Sequence, residues 1–122
     1  MRTNAERTRL KLATFHRSAE LMKAAQLQAD QMAAARVMAH EIPGAAFPTT
    51  ASRLQAAGYR AGAFGENVAE GYPDPATVVA GWMKSPGHRE NIVSDHYAEM
   101  GGGVATGSNN RRYWVQVFAR PY

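Results

Sequence analysis

Apolar positions in the first third of the chain follow a helical period. A segment rich in Ala, Met, Gln and Lys, which are strong helix formers, runs from Ala19 to about Met38. Ser18 is a suitable N-cap, and the Pro-Gly pair at 43–44 cannot continue a helix. The pattern predicts a long helix with His40 at its C-terminus or just beyond. Its apolar stripe consists of Leu21, Ala24, Ala25, Leu27, Met32 and Ala35.

Shorter helices are predicted on both sides of the long one. Asn4 is a candidate N-cap for a first helix reaching Leu12, and a break follows at 13–16. A later short helix has Thr50 or Ser52 as its cap and ends before Gly58. The N-terminal half of the chain is therefore predicted to be helical.

Two cap-plus-proline signals predict further helices. Asp74-Pro75 starts a helix, and Ser85-Pro86 starts a second one that holds His88 in its first turn and ends near Ile92 or Val93. The first of these helices has a core-facing stripe formed by Val78, Val79, Trp82 and Met83.

The C-terminal part alternates as a strand does. Met100–Thr106 is extended and glycine-rich, 107–110 has turn chemistry, and Arg111–Arg120 alternates between two faces, so the three pieces predict an antiparallel hairpin. Gly65–Gly71 is interpreted as a turn leading into or beside a strand, after connecting structure at 59–64. Helices first and strands last indicate an α+β fold in one domain, residues 1–122. The two faces of the last strand are Tyr113, Val115 and Val117, and Trp114, Gln116 and Phe118.

Composition narrows the function only a little. No apolar run is long enough to span a membrane, and the chain has no cysteine, so its stability must come from a core. The formal net charge is +4, and five basic residues lie in the first seventeen positions. Without interleaved aromatics or a nucleic-acid motif, we interpret this cluster as a solvated helix face and expect no nucleic-acid partner. The N-terminus lacks a secretory apolar segment, which fits a cytoplasmic protein or a mature fragment.

An ordered set of motifs resembles the CAP superfamily, which covers cysteine-rich secretory proteins, venom antigen 5 and plant pathogenesis-related proteins. The resemblance is to bacterial SCP-like members and covers nearly the whole chain. Its pieces are Asn4 and Arg7, Ala29 and Met32, His40, Arg53-Leu54, Gly58-Tyr59, Gly65–Gly71, Val78-Val79, Gly81–Met83, Ser85–Ile92, Gly101–Val104 and Tyr113–Phe118.

The resemblance implies a three-layer α–β–α sandwich with a small central antiparallel sheet. It also implies a cleft with two His and two Glu, onto which His40, Glu66 and His88 match. The second Glu is replaced by Ser85. Asn67, Ser85 and Arg89 are further expected cleft residues, and a secreted or cell-surface location follows from the family.

Two imidazoles and one carboxylate suit Zn²⁺ with water in the fourth position, and Glu66 is then either a ligand or a general base. Each residue also has a structural interpretation. His40 can complement a helix dipole, and Ser85 can cap a helix. Glu66 can accept hydrogen bonds from loop amides around Asn67, and Asn67 is interpreted as a structural bridge. His16 and His96 match nothing and are expected on the surface, and the aromatic residues are expected in the core.

Three hypotheses remain. The first is a secreted or surface CAP module, expected to be a non-enzymatic monomer, that binds a ligand or protein partner and has a His/Glu cleft for which zinc is a candidate ligand. The second is a metal-dependent hydrolase of peptide or ester bonds that uses His40, Glu66 and His88. The third is a binder of lipid or of an anionic envelope polymer.

Overall fold

Five helices and four strands make up the protein in a computed structural model that describes all 122 residues. None of the helices combines the length and apolar character that crossing a membrane requires. In chain order the elements are α1 (Arg2–Arg9), β1 (His16–Arg17), α2 (Ala19–Ala35), α3 (Thr50–Ala57), β2 (Ala61–Glu70), α4 (Pro75–Met83), α5 (Pro86–Val93), β3 (Glu99–Thr106) and β4 (Arg112–Pro121).

The strands form one sheet in the order β1-β3-β4-β2. The long strand β4 is central and pairs antiparallel with both β3 and β2. The predicted antiparallel β3–β4 hairpin is confirmed. The sheet is not wholly antiparallel as expected, because the two-residue strand β1 pairs parallel with the start of β3.

Helices cover both faces of this sheet, which confirms the α–β–α sandwich. The alternation predicted for β4 holds: Tyr113, Val115 and Val117 pack in one cluster with α2 and Leu54 of α3. Phe118 belongs to a second cluster with Phe15 and with buried side chains of α4 and α5. Each face of β4 therefore carries its own hydrophobic core.

Strand β2 was not predicted at its true length. The segment interpreted as connection and turn, 59–71, contains a ten-residue strand, Ala61–Glu70, at the edge of the sheet. Gly62 and Gly65 interrupt the alternation of apolar and polar residues that would indicate a strand. At position 65 in β2, a Cβ would lie 2.7 Å from the hydroxyl of Tyr97, so glycine fits this position. Because side chains alternate along β2, Val68 packs in the cluster with α2 and α3, and Ala69 packs in the cluster with α4 and α5.

Several predicted helix ends are shifted. α2 ends at Ala35, where Arg36 adopts a left-handed conformation, so His40 lies in the following loop and not at the helix end. Asn4 does not cap α1; its side chain instead bonds to the backbone N–H and C=O of Phe15. α3 is capped by Thr49, in a reciprocal capping box with Ser52. The cap of α4 by Asp74 is confirmed, since Asp74 Oδ1 accepts from the Thr77 N–H at 2.8 Å.

One member of the basic N-terminal cluster is not solvated. Arg7 is buried, donates to the carbonyls of Ala13, Ile92 and Ser94, and lies 4.0 Å from the ring centroid of Phe15. It joins α1 to the end of α5, so the interpretation of a solvated face is wrong at this position. The other four basic residues of the cluster are exposed.

Candidate functional site

A buried carboxylate lies at the centre of the predicted cleft. The Glu66 side chain is 3% exposed, and each of its oxygens has a partner. His40 Nδ1 lies 2.9 Å from Oε1, and Arg53 Nη2 lies 3.0 Å from Oε2. Burial of a charged pair is tolerated only with such close geometry, so Glu66 is held as one component of a fixed triad.

Arg53 is the residue of this triad that the sequence analysis did not single out as functional. Its side chain is fully buried and also donates to the carbonyls of His40 and Phe47 and to the hydroxyl of Thr50. These bonds fasten the loop that follows α2 against α3. The available sequence signal was that Arg53 is the single charged residue of the short, Ala-rich helix α3. An arginine on the inner face of such a helix must be paired, which indicates a partner such as Glu66.

Asn67 points away from Glu66, since neighbouring residues of a strand face opposite sides of the sheet. Its Nδ2 donates to the His88 carbonyl at 3.1 Å, and its Oδ1 accepts from Asn91 Nδ2 at 2.9 Å. These two bonds connect Asn67 on β2 to α5. Glu66 thus holds His40 on one side of the edge strand β2, and Asn67 holds the backbone of His88 on the other.

Ser85 occupies the predicted N-cap position of α5, but its side chain makes no cap hydrogen bond. Its Oγ lies 3.0 Å from His88 Nδ1 instead. The expected cap role of the hydroxyl is therefore wrong, and the hydroxyl positions the imidazole of His88. Arg89, the next residue of α5, is half-buried.

The two cleft histidines are shifted in opposite directions. The hydrogen bond to Glu66 raises the pKa of His40 above its ordinary value, although the imidazole is 54% exposed. Burial lowers the pKa of His88, and the nearby charge of His40 lowers it further. At neutral pH the His40 imidazolium is therefore favoured by its surroundings, and His88 is favoured in the neutral form.

This arrangement falls short of a metal-binding set. No three His, Cys, Asp or Glu side chains come together in a way that could hold a metal ion. Glu66 already binds Arg53 and His40, and Nδ1 of each histidine is engaged. The atoms left for a cation are the two imidazole Nε2 atoms, so the metal site of His40, Glu66 and His88 stays a prediction.

A second concave site was missed by sequence reasoning. A cavity of about 770 Å³ lies between α1, α4 and the β3–β4 part of the sheet. It is lined by none of His40, Glu66 and His88. Both tryptophans of the chain line it, as do Val78, Val79 and Met100. The valines and tryptophans had been interpreted as core, and the lipid-binding hypothesis was assigned to no groove, because an alternating strand shows which side faces inward but not whether a helix fills that side completely.

The family follows from the whole sequence. Residues 2–118 match the family described as "CAP: Cysteine-rich secretory protein family". The chain belongs to the CAP family. It does so without any cysteine.

Similar proteins come from several bacteria. The chain is 32% identical over 117 residues to the uncharacterized protein YkwD of Bacillus subtilis. The matched region covers 95% of this chain and 43% of YkwD. An extracellular protein of Bacillus anthracis containing an SCP domain has a TM-score of 0.87 and 26% identity, over 97% of this chain and 37% of that one. An outer surface protein of Borrelia burgdorferi has the same TM-score at 22% identity, over 98% of this chain and 87% of its own, and therefore supports the fold alone.

This CAP domain thus spans less than half the length of YkwD and of the Bacillus anthracis protein. The remaining parts of those proteins have no counterpart in these 122 residues. Activities and partners of the longer relatives therefore cannot be assigned to this domain directly.

Proposed function

We propose that this chain is a non-enzymatic, ligand-binding CAP domain, and that the cavity between α1, α4 and the sheet holds an amphiphile with an apolar chain. One observation carries the proposal: the large concave site is lined mainly by apolar and aromatic side chains and lies apart from the His/Glu cleft. Ligand sites of this size are typically apolar with a few polar groups at defined positions.

The backbone of β3 gives the cavity its depth. Gly102 lies opposite Gln116 in the register, and Val104 lies opposite Trp114, so all four face the α4 side of the sheet. A Cβ at Gly102 would meet only the Val115 carbonyl oxygen, at 3.7 Å. A larger residue at this position therefore extends into the cavity without displacing the backbone.

The binding proposal is tested by filling the cavity. Both tryptophans line it, so binding of cis-parinaric acid, a fluorescent fatty acid, should quench their emission. Gly102→Leu should weaken this binding at least about ten-fold, an effect on the order of 1.4 kcal/mol. Thr106→Leu is the matched control, since Thr106 is exposed on the same strand and does not line the cavity. Equal affinity in both variants would refute the cavity as the ligand site.

The hydrolase hypothesis has weaker support. A general base must reach a substrate proton, and both oxygens of Glu66 already have side-chain partners. Esterase and peptidase assays with the wild type and with Glu66→Gln distinguish the alternatives. Activity that disappears both in the variant and on chelation would support the hydrolase and overturn the non-enzymatic proposal.

Zinc binding remains a second proposal for the His/Glu cleft. Glu66 orients the imidazole of His40 through Nδ1, and carboxylates hold metal-binding histidines in the same way. Titration calorimetry with Zn²⁺ should show weaker binding in His40→Ala and His88→Ala than in the exposed control His96→Ala. Equal binding by all three variants would exclude a shared site.

A secreted or surface location is part of the proposal. It is supported by the description of the Bacillus anthracis relative as an extracellular protein. Fractionation of cells that produce the complete native protein would test it. Recovery of the protein solely from the cytoplasm would overturn this part.

A further inference from the structure

Exposed apolar side chains converge on the mouth of the cavity. Met1, Met22 and Val104 are 50%, 41% and 40% exposed, and all three line the cavity. They come from three separate parts of the fold: the cap of α1, the helix α2 and the edge of β3. Single exposed apolar residues are ordinary, but three around one opening form a patch that needs an explanation.

The same mouth carries positive charge. Arg2 and Arg17 line the cavity, are exposed, and take part in no salt bridge. Asp74 is close enough to Arg2 for the two charges to interact, so Arg17 is the less compensated cation. The surface around the opening therefore combines apolar tips with unpaired guanidinium groups.

We infer that this mouth, formed by Met1, Arg2, Arg17, Met22 and Val104, docks on an anionic lipid bilayer. The inference rests on the proposed function, because it assigns the surface through which the ligand of the cavity enters and leaves. Apolar tips enter the acyl boundary while cations remain at the headgroups, which is how peripheral proteins bind anionic membranes.

The geometry favours a bilayer over a protein partner. The patch surrounds an opening instead of forming a continuous flat surface, and an apolar ligand leaving such an opening into lipid avoids exposure to water. Arginine at the rim matches the negative potential of an anionic leaflet. A protein partner would not require the apolar residues and the cavity opening to coincide.

Vesicle sedimentation tests the inference. The wild type should bind vesicles of phosphatidylglycerol and phosphatidylcholine, bind phosphatidylcholine alone at least about ten-fold more weakly, and lose affinity as salt rises. Met22→Glu should reduce binding at least about ten-fold, and Arg17→Gln about five-fold, the loss expected for one basic residue at an anionic surface.

The chain offers a matched control for each variant. Met38 is 47% exposed, similar to Met22, and lies outside the cavity lining, so Met38→Glu should bind vesicles as the wild type does. Arg60→Gln is the control for Arg17→Gln and should also bind vesicles as the wild type does, since Arg60 is exposed and lies outside the cavity lining. Equal losses in mouth and control variants, or no vesicle binding by the wild type, would overturn the inference.

The inference of a docking surface and the proposal of a cavity ligand can be refuted separately. Gly102→Leu should lose cis-parinaric acid but keep vesicle binding, because Gly102 lines the cavity without being one of the five mouth residues. Fatty-acid binding with no vesicle binding would leave the proposed function intact and refute the docking surface. Vesicle binding without fatty-acid binding would support the docking surface and refute the cavity ligand.

Discussion

At the scale of residues, the triad of Glu66, Arg53 and His40 decides what the cleft can do. The fully buried Arg53 neutralises the buried carboxylate from inside the protein, and the half-exposed His40 binds it from the solvent side. Both oxygens of the Glu66 carboxylate therefore already have partners within the protein. A general base instead needs an oxygen that can reach a proton of the substrate.

Arg53→Met should lower the free energy of unfolding by about 3 kcal/mol or more, because it leaves the charge of Glu66 buried without its main partner. Urea unfolding followed by tryptophan fluorescence measures this. Arg9→Met is the control, since Arg9 pairs with Glu6 on the surface and such pairs contribute less than about 1 kcal/mol. Similar losses in both variants would contradict the triad.

The two cleft histidines should titrate on opposite sides of the ordinary value of 6.5, with His40 above and His88 below. In His40→Gln the pKa of His88 should rise, but remain lowered, because burial is its larger cause. NMR titration of the imidazole signals of His40 and His88 measures these values. A pKa of His88 that falls in the variant would contradict the proximity of the two rings.

The stability conferred by His40 has a defined sign. Its folded-state pKa is raised, so the stabilisation is fully present below the unfolded pKa of about 6.5 and disappears as the pH rises through the folded value. The difference in unfolding free energy between the wild type and His40→Gln should be larger near about pH 5 than near about pH 9. The opposite trend would show that Glu66 does not favour the imidazolium.

At the scale of elements, local signals predicted some boundaries and missed others. The Asp74-Pro75 signal placed the start of α4 correctly, because the cap and the fixed φ of proline act within a few residues. Strand β2 was missed because it depends on a distant partner, β4. The end of α2 was missed because Arg36 adopts there the left-handed conformation that glycine usually takes.

The three consecutive glycines of β3 should differ in their tolerance of a side chain. A Cβ at Gly101 would lie 2.2 Å from the backbone nitrogen of Met22, and at Gly103 2.7 Å from that of Gln26, whereas Gly102 has room. Gly101→Ala should therefore cost about 3 kcal/mol, since α2 must move, and Gly102→Ala should be nearly neutral. Thermal unfolding by circular dichroism compares them. Equal costs would show that α2 does not pack on the strand this closely.

At the scale of the whole molecule, the fold brings together groups that no local spacing could. His40 lies in a loop, Glu66 on the edge strand and His88 on α5, and only the ordered family resemblance placed them in one cleft. The resemblance did not reveal that Glu66 and Asn67 face opposite sides of β2. It allowed a lipid-binding hypothesis but did not locate the cavity, which is lined by residues from several elements and by no single motif.

Stability should be distributed according to the position of each strand in the sheet. β4 is paired on both sides and contributes side chains to both hydrophobic clusters, so its amides should open only with global unfolding. β1 makes only two residue pairs, and β2 is an edge, so amides there should exchange through local opening. Native-state hydrogen exchange measures this order. Protection of β1 equal to that of β4 would mean that the parallel β1–β3 pair is part of the cooperative core. The cavity lining at Arg17 on β1 would then be as rigid as the lining on β4.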